Sequence, residues 1–202
     1  MAPSFTSAIV ALLLALAPSV SPLTDTPPAD LAAGVAARLA PVAKVTTGAA
    51  TLDIWLVQKL ERTAEGPGWS NVESGTLIGA VRVSGEFKEI RGKVVKPGVY
   101  TLRYGLQPQN GDHLGISTFR DFVLLSPAAL DKDPKILGFD GVVALSKEVI
   151  GTAHPASLSL DPPEDAPGAP LSTYQNELGH EGVVLQIGAL KFGLIVSGLI
   201  VH

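Results

Sequence analysis

Residues 99 to 106, "VYTLRYGL", decide the fold. Tyr100, Leu102, Tyr104 and Leu106 alternate with Val99, Thr101, Arg103 and Gly105. A repeat of two places successive side chains on opposite faces of a strand. The aromatic and leucine set is therefore expected to face the core, and the Val, Thr, Arg and Gly set to face solvent. Six runs share this texture or stand beside it: "ATLDIWLVQKL" (50–60), "GTLIGAVRVSG" (75–85), "GVYTLRYGL" (98–106), "FRDFVLLS" (119–126), "GVVALSKEV" (141–149) and "ASLSL" (156–160). Each is rich in strand-forming residues and bounded by Gly, Pro, Asn or Asp, which turn the chain. Short strands at close spacing, with little helical pattern between them, predict an all-β fold, an antiparallel β-sandwich of immunoglobulin or transthyretin type.

The entry to the deciding strand is itself patterned. Pro97 fixes its own φ and Gly98 permits a positive one, so the pair is expected to make a tight turn. "KPGVYTLRY" (96–104) resembles the Pro-Gly-x-Tyr-x-Leu signature of exported bacterial β-sandwich domains, including those similar to carboxypeptidase regulatory and transthyretin-like modules. The extension "GLQPQNGDHLGIS" (105–117) continues the likeness. The resemblance implies a sandwich and export, and it carries over no catalytic residue.

Upstream, "AIVALLLALA" (8–17) is an apolar run of signal-peptide length followed by prolines and small residues. It is too short to span a bilayer, which takes about 20 apolar residues. Ala17 and Ser19 form a small-x-small cleavage pair that would leave Val20 as the first residue, in a periplasmic or extracellular protein. "VSPLTDTPPA" (20–29) reads as an extended leader, and "DLAAGVAARLA" (30–40) as one short helix, N-capped by Asp30 and stopped by Pro41. The expected organisation is a signal peptide over 1–19, leader and helix over 20–44, and a β-sandwich domain over 45–202.

Downstream, "DPPEDAPGAP" (161–170) is a proline-rich surface loop. The tail "GVVLQIGALKFGLIVSGLIVH" (182–202) is long and apolar, but Lys191 near its centre and Gly188, Gly193 and Gly198 favour two core strands joined near Ala189 to Lys191 over a membrane span.

Composition narrows the partners. The chain has no cysteine, hence no disulfide framework and no thiolate nucleophile. Its formal charge of −4, without a Lys/Arg cluster, gives no electrostatic footprint for nucleic acid. An unknown protein or small-molecule ligand is the partner expected.

The candidate site lies in "YGLQPQNGDHLGISTFRDF" (104–122). Asn110-Gly111 is a strong hairpin signal. Gln109, Asn110, Asp112 and His113, with Arg120 and Asp121 at its end, are the candidate ligand-binding residues. His113, His154 and His180 all lie beside turn residues, where sandwich loops gather. Three imidazoles, with Asp112 or Glu181 as a fourth ligand, would suit Zn or non-blue Cu. Their spacing matches no local ligand motif. Asp112, Asp121, Glu148, Glu177 and Glu181 are candidates for paired-acid hydrolysis, while serine-nucleophile, P-loop and dinucleotide motifs are absent from the sequence. Trp55 is expected in the core, and Trp69 to cap the sandwich edge rather than stack on a sugar. The leading expectation is a non-catalytic binding or interaction module of the bacterial cell envelope.

Overall fold

The computed structural model describes residues 17–108 and 119–198. In chain order the elements are β1 (Ser19–Pro22), α1 (Ala33–Ala36), β2 (Leu39–Thr47), β3 (Ala50–Val57), β4 (Leu77–Ser84), β5 (Phe87–Lys88), β6 (Val94–Val95), β7 (Gly98–Leu106), β8 (Asp121–Pro127), α2 (Phe139–Ile150), β9 (Ser157–Asp161), β10 (Thr173–Gln175), β11 (Glu181–Ile187) and β12 (Leu190–Ser197). Among the described residues the chain is all-β and antiparallel, with two short helices. Ten strands form one hydrogen-bonded order, β1-β2-β3-β4-β7-β8-β9-β12-β11-β10, and β5 pairs with β6 in a separate hairpin.

Two separate facing sheets are thus not what the ladder shows. β9 explains the continuity: Ser157 to Ser159 pair with β8, while Leu160 and Asp161 pair with β12. One five-residue strand therefore joins both halves. Strands twist relative to their neighbours, and over ten of them the sheet curls until β2 and β11, distant in strand order, touch. The inner faces of the two halves share one apolar core that includes Leu52, Ile54, Leu102, Leu125, Leu185 and Phe192. Trp69 fastens the curl from the β3–β4 connection. Its ring stacks on Tyr104 of β7 at 5.3 Å and meets Phe192 of β12 edge-on at 5.0 Å, arrangements that the aromatic quadrupole favours. It is buried and belongs to the main core.

On β7 the inward set is correct for Tyr100, Leu102 and Tyr104, which lie in the core, whereas Leu106 is 40 % exposed. The opposite face departs from expectation. Thr101 and Arg103 are fully buried, because the connection leaving β8 folds back over them. Gly98 also differs: it opens β7 without a positive φ. What it provides is room, since a Cβ there would lie 3.2 Å from the Tyr100 hydroxyl. That hydroxyl donates to the Lys96 carbonyl at 2.7 Å.

Two helix assignments are corrected. The expected helix over 30–40 shrinks to one turn, Ala33–Ala36, because Leu39 already pairs with Val57 of β3. Pro41 lies inside β2 rather than ending a helix. It is tolerated there because a bulge follows it, between Pro41 and Ala43, and because β1 pairs with β2 only from Ala43 onward. Conversely, 141–149 is not a strand but the body of α2. Val142, Ser146 and Val149 are its buried residues, spaced four and three apart, which is helical and not strand spacing. Gly151 ends it in the left-handed conformation.

The leader is more ordered than an extended tail. β1 pairs with β2, and the carbonyl of Asp25 accepts the Trp55 indole N–H at 2.7 Å. The tail forms β11 and β12 around a turn at Gly188 and Ala189, as expected, and no helix among the described residues is long and apolar enough to cross a membrane.

Candidate functional site

Four carboxylates are buried among the described residues, Asp53, Glu89, Asp131 and Asp161; Asp131 and Asp161, one on each half of the sheet, differ most in their surroundings. Asp131 faces β7. It receives the Arg103 guanidinium through both oxygens, Nε at 2.6 Å and Nη2 at 2.7 Å, together with the Thr101 hydroxyl. Arg103 spends its remaining hydrogens on the carbonyls of Gly75 and Lys135, both at 2.7 Å, and of Asp133. All five guanidinium N–H donors are used. The bidentate pair ties the 128–137 connection onto β7, and nothing in it is left to engage a ligand.

Asp161 ends β9 and is also buried, but no cation makes a salt bridge with it among the described residues. Its Oδ2 accepts the Tyr174 hydroxyl at 2.9 Å and the Asn176 side-chain amide at 3.1 Å. Tyr174 reaches it by crossing two strands. From β10 its ring passes over Gly182 of β11 and Gly193 of β12, where a Cβ would overlap the ring or its hydroxyl. The two glycines are therefore the path of the tyrosine, a case where a strand glycine marks close approach. Tyr174 also packs with Ile90, Ala166, Val184 and Ile195 in a small apolar cluster on the outer face of this half.

Electrostatics follow from this setting. Burial raises the Asp161 carboxyl above the ordinary aspartate range, and the nearby Asp165 charge adds to the rise. The Asn176 and Tyr174 hydrogen bonds and the proximity of His180 oppose it without cancelling it. The Tyr174 hydroxyl is pushed well above its usual range by burial and by Asp161.

Asn176 also builds the turn that carries His180. Its Oδ1 accepts the N–H groups of Leu178 and His180, and Gly179 adopts a positive φ between them. Beside this turn lies a cavity of about 220 Å³ lined by Phe119, Glu164, Asp165, Pro167, Gln175, Asn176 and Glu177.

The loop nominated from sequence meets the cavity at its foot. Gln109, Asn110, Asp112 and His113 lie outside the described residues, and so does His202. Arg120 and Asp121 are engaged in closing the loop stems. Arg120 donates from Nε and Nη2 to the Gln107 carbonyl at 2.9 and 2.6 Å, and Asp121 accepts the Tyr104 hydroxyl at 2.5 Å. Burial and Asp121 raise the Tyr104 hydroxyl well above its usual range. Phe119, one residue earlier, is the part of this segment that lines the cavity.

Of the histidines, His180 is buried next to Asp161, whereas His154 is exposed in the turn before β9, with both backbone polar groups bonded to Thr152 Oγ1. Asp161 stands at the far end of β9 from that turn. No group of three or more His, Asp or Glu residues is arranged to hold a metal among the described residues. Of the acids, Glu177 lines the cavity, Glu181 accepts the Gln175 amide at 2.9 Å, and Glu148 lies on α2. Sequence reading missed Asp161, Tyr174 and Asn176. The available signal was one glycine in each of the two strands of the apolar tail, Gly182 and Gly193. Searches against protein-family models, curated proteins and solved structures find no match to this chain.

Proposed function

We propose that the chain is an exported, non-catalytic binding module of the bacterial cell envelope, its curled sheet serving as a sandwich-like scaffold for one binding end. The observation that supports this reading is the cavity beside Asp161. Glu164, Asp165 and Glu177 surround it with acceptors, and Phe119 and Pro167 supply apolar surface. Five of the seven lining residues are polar and three of these are acidic, so the cavity recognises a ligand by hydrogen bonds and charge more than by apolar contact. This set suits a ligand rich in N–H or O–H donors with one apolar face.

The test is a binding screen by amide chemical-shift mapping with small amines, amino alcohols and monosaccharides. Shifts centred on Phe119, Gln175 and Asn176, reduced in Asp165→Asn, support the reading. Shifts confined to other surfaces, or none from any of these probes, sink it. Export has its own check. Amino-terminal sequencing of protein from the envelope fraction is expected to begin at Val20, which keeps Val20, Ser21 and Pro22 paired with Val45, Lys44 and Ala43. A chain found uncut in the cytoplasm contradicts it.

One observation favours a second reading, a hydrolase with paired acids: Glu177 shares the cavity with Glu164 and Asp165. Under that reading Glu177→Gln abolishes turnover of a bound substrate and leaves its binding intact. The metal-carrying reading, Zn or non-blue Cu on His113, His154 and His180, is checked by elemental analysis of the purified protein before and after His180→Ala.

A further inference from the structure

A second concavity lies on the other half of the molecule, where the connection from β3 to β4 faces the connection from β8 to α2. It is a groove of about 670 Å³, within the range of about 300 to 1,000 Å³ typical of ligand sites. Leu60 and Ile136 give it an apolar floor, and Ile136 is one of few large apolar side chains left exposed, at 39 %.

Both banks of the groove are held by arginines. Arg62 donates to the carbonyls of Gly66 at 2.8 Å, Gly68 at 2.9 Å and Ser70 at 3.3 Å, which fixes the first bank although it has no regular secondary structure. Arg103 holds the carbonyls of Asp133 and Lys135, immediately before Ile136, and reaches across to the carbonyl of Gly75, two residues after Glu73. A groove formed in this way loses little conformational freedom when it is filled.

Its charges are unevenly used. Glu61 is paired with Arg38, and Arg62 is spent on carbonyls. Lys59, Glu65 and Glu73 also line the groove, and their charged ends have no hydrogen bond or ion pair among the described residues. Two unpaired carboxylates and one ammonium around an apolar floor complement a ligand with a cation, a neighbouring apolar group and a carboxylate.

We propose that this groove binds a short peptide in which a basic residue precedes an apolar one. The basic side chain and amino terminus face Glu65 and Glu73, the apolar side chain covers Leu60 and Ile136, and the carboxylate faces Lys59. This site is separate from the cavity beside Asp161, so either can fail alone.

The experiment uses the full chain with the tripeptides Lys-Leu-Ala and Glu-Leu-Ala, followed by amide chemical-shift mapping and titration. Lys-Leu-Ala is expected to shift Leu60, Glu73 and Ile136 and to bind about tenfold more tightly than Glu-Leu-Ala, a preference that shrinks in 0.5 M salt, where charges are screened within a few ångströms. Glu65→Gln combined with Glu73→Gln alters only exposed side chains and is expected to abolish that preference with thermal unfolding unchanged. Equal binding of both peptides, shifts confined to other surfaces, or a preference that survives the double substitution overturns the proposal.

Discussion

Arg103–Asp131 and Asp161–Tyr174 are two answers to one problem, a carboxylate buried against a sheet face away from the main core. On β7 the carboxylate meets a guanidinium with two parallel hydrogen bonds, and the cation's other donors are all taken by carbonyls. On β9 the carboxylate meets only neutral donors, from Tyr174 and Asn176, and its ionised form stays disfavoured. The first arrangement is closed and ties down a connection. The second is joined through Asn176 to a cavity, and the lining of that cavity places the proposed binding end there.

The comparison can be broken most forcefully at Arg103. Arg103→Ala leaves Asp131 buried without its cation and is expected to cost about 3–5 kcal/mol, measured by urea unfolding. Arg103→Met combined with Asp131→Leu removes both charges and is expected to recover most of that loss. A double variant as unstable as the single one would mean that the carbonyl bonds, not the ion pair, carry the tie.

The next effect belongs to Gly193. Gly193→Ala places a methyl group where the Tyr174 hydroxyl lies, and overpacking of this kind costs about 1–3 kcal/mol. Tyr174→Phe introduced alongside it is expected to relieve part of the cost, because the hydroxyl makes the closest approach. Full additivity of the two substitutions would contradict the crossing path.

Asp161→Ala strands the Tyr174 hydroxyl and the Asn176 amide and is expected to cost about 1–3 kcal/mol. This is less than Arg103→Ala, since no charge is orphaned. The smallest effect is expected from Arg120→Ala. Arg120 is exposed, and among the described residues its side chain bonds only to the Gln107 carbonyl at the loop foot, so the loss should stay below about 1 kcal/mol.

The two centres also differ in what the amino-acid sequence discloses. Alternation along 99–106 correctly puts Tyr100, Leu102 and Tyr104 inside, because one apolar face is a local property of a strand. It cannot show that Arg103 is buried, since the covering Asp131 lies 28 residues further on and belongs to no periodic element. α2 was readable in principle: Val142, Ser146 and Val149 keep helical spacing between Gly138 and Gly151, but β-branched composition outweighed that spacing. Pro41 misled in the other direction, because a proline is compatible with a strand wherever the neighbouring strand leaves its side unpaired. At the candidate site, the sequence pointed to the loop whose foot is Phe119. The Asp161–Tyr174 contact spans β11 and β12 and exists only once the strand order is known. Gly182 and Gly193 are its visible trace.

Asp161 is buried with its charge disfavoured, and a carboxyl titration followed by NMR, assigned with Asp161→Asn, tests this most directly. A folded value raised above the unfolded one means that the group's contribution to stability is full below the unfolded aspartate pKa of about 3.9 and is lost as pH rises through the folded value. The predicted result is an Asp161 midpoint above about 3.9, with the Tyr174 and Asn176 side-chain resonances moving at the same pH. A midpoint at or below that value would mean that hydrogen bonds or a nearby cation outweigh burial, and would contradict the distinction between the two centres.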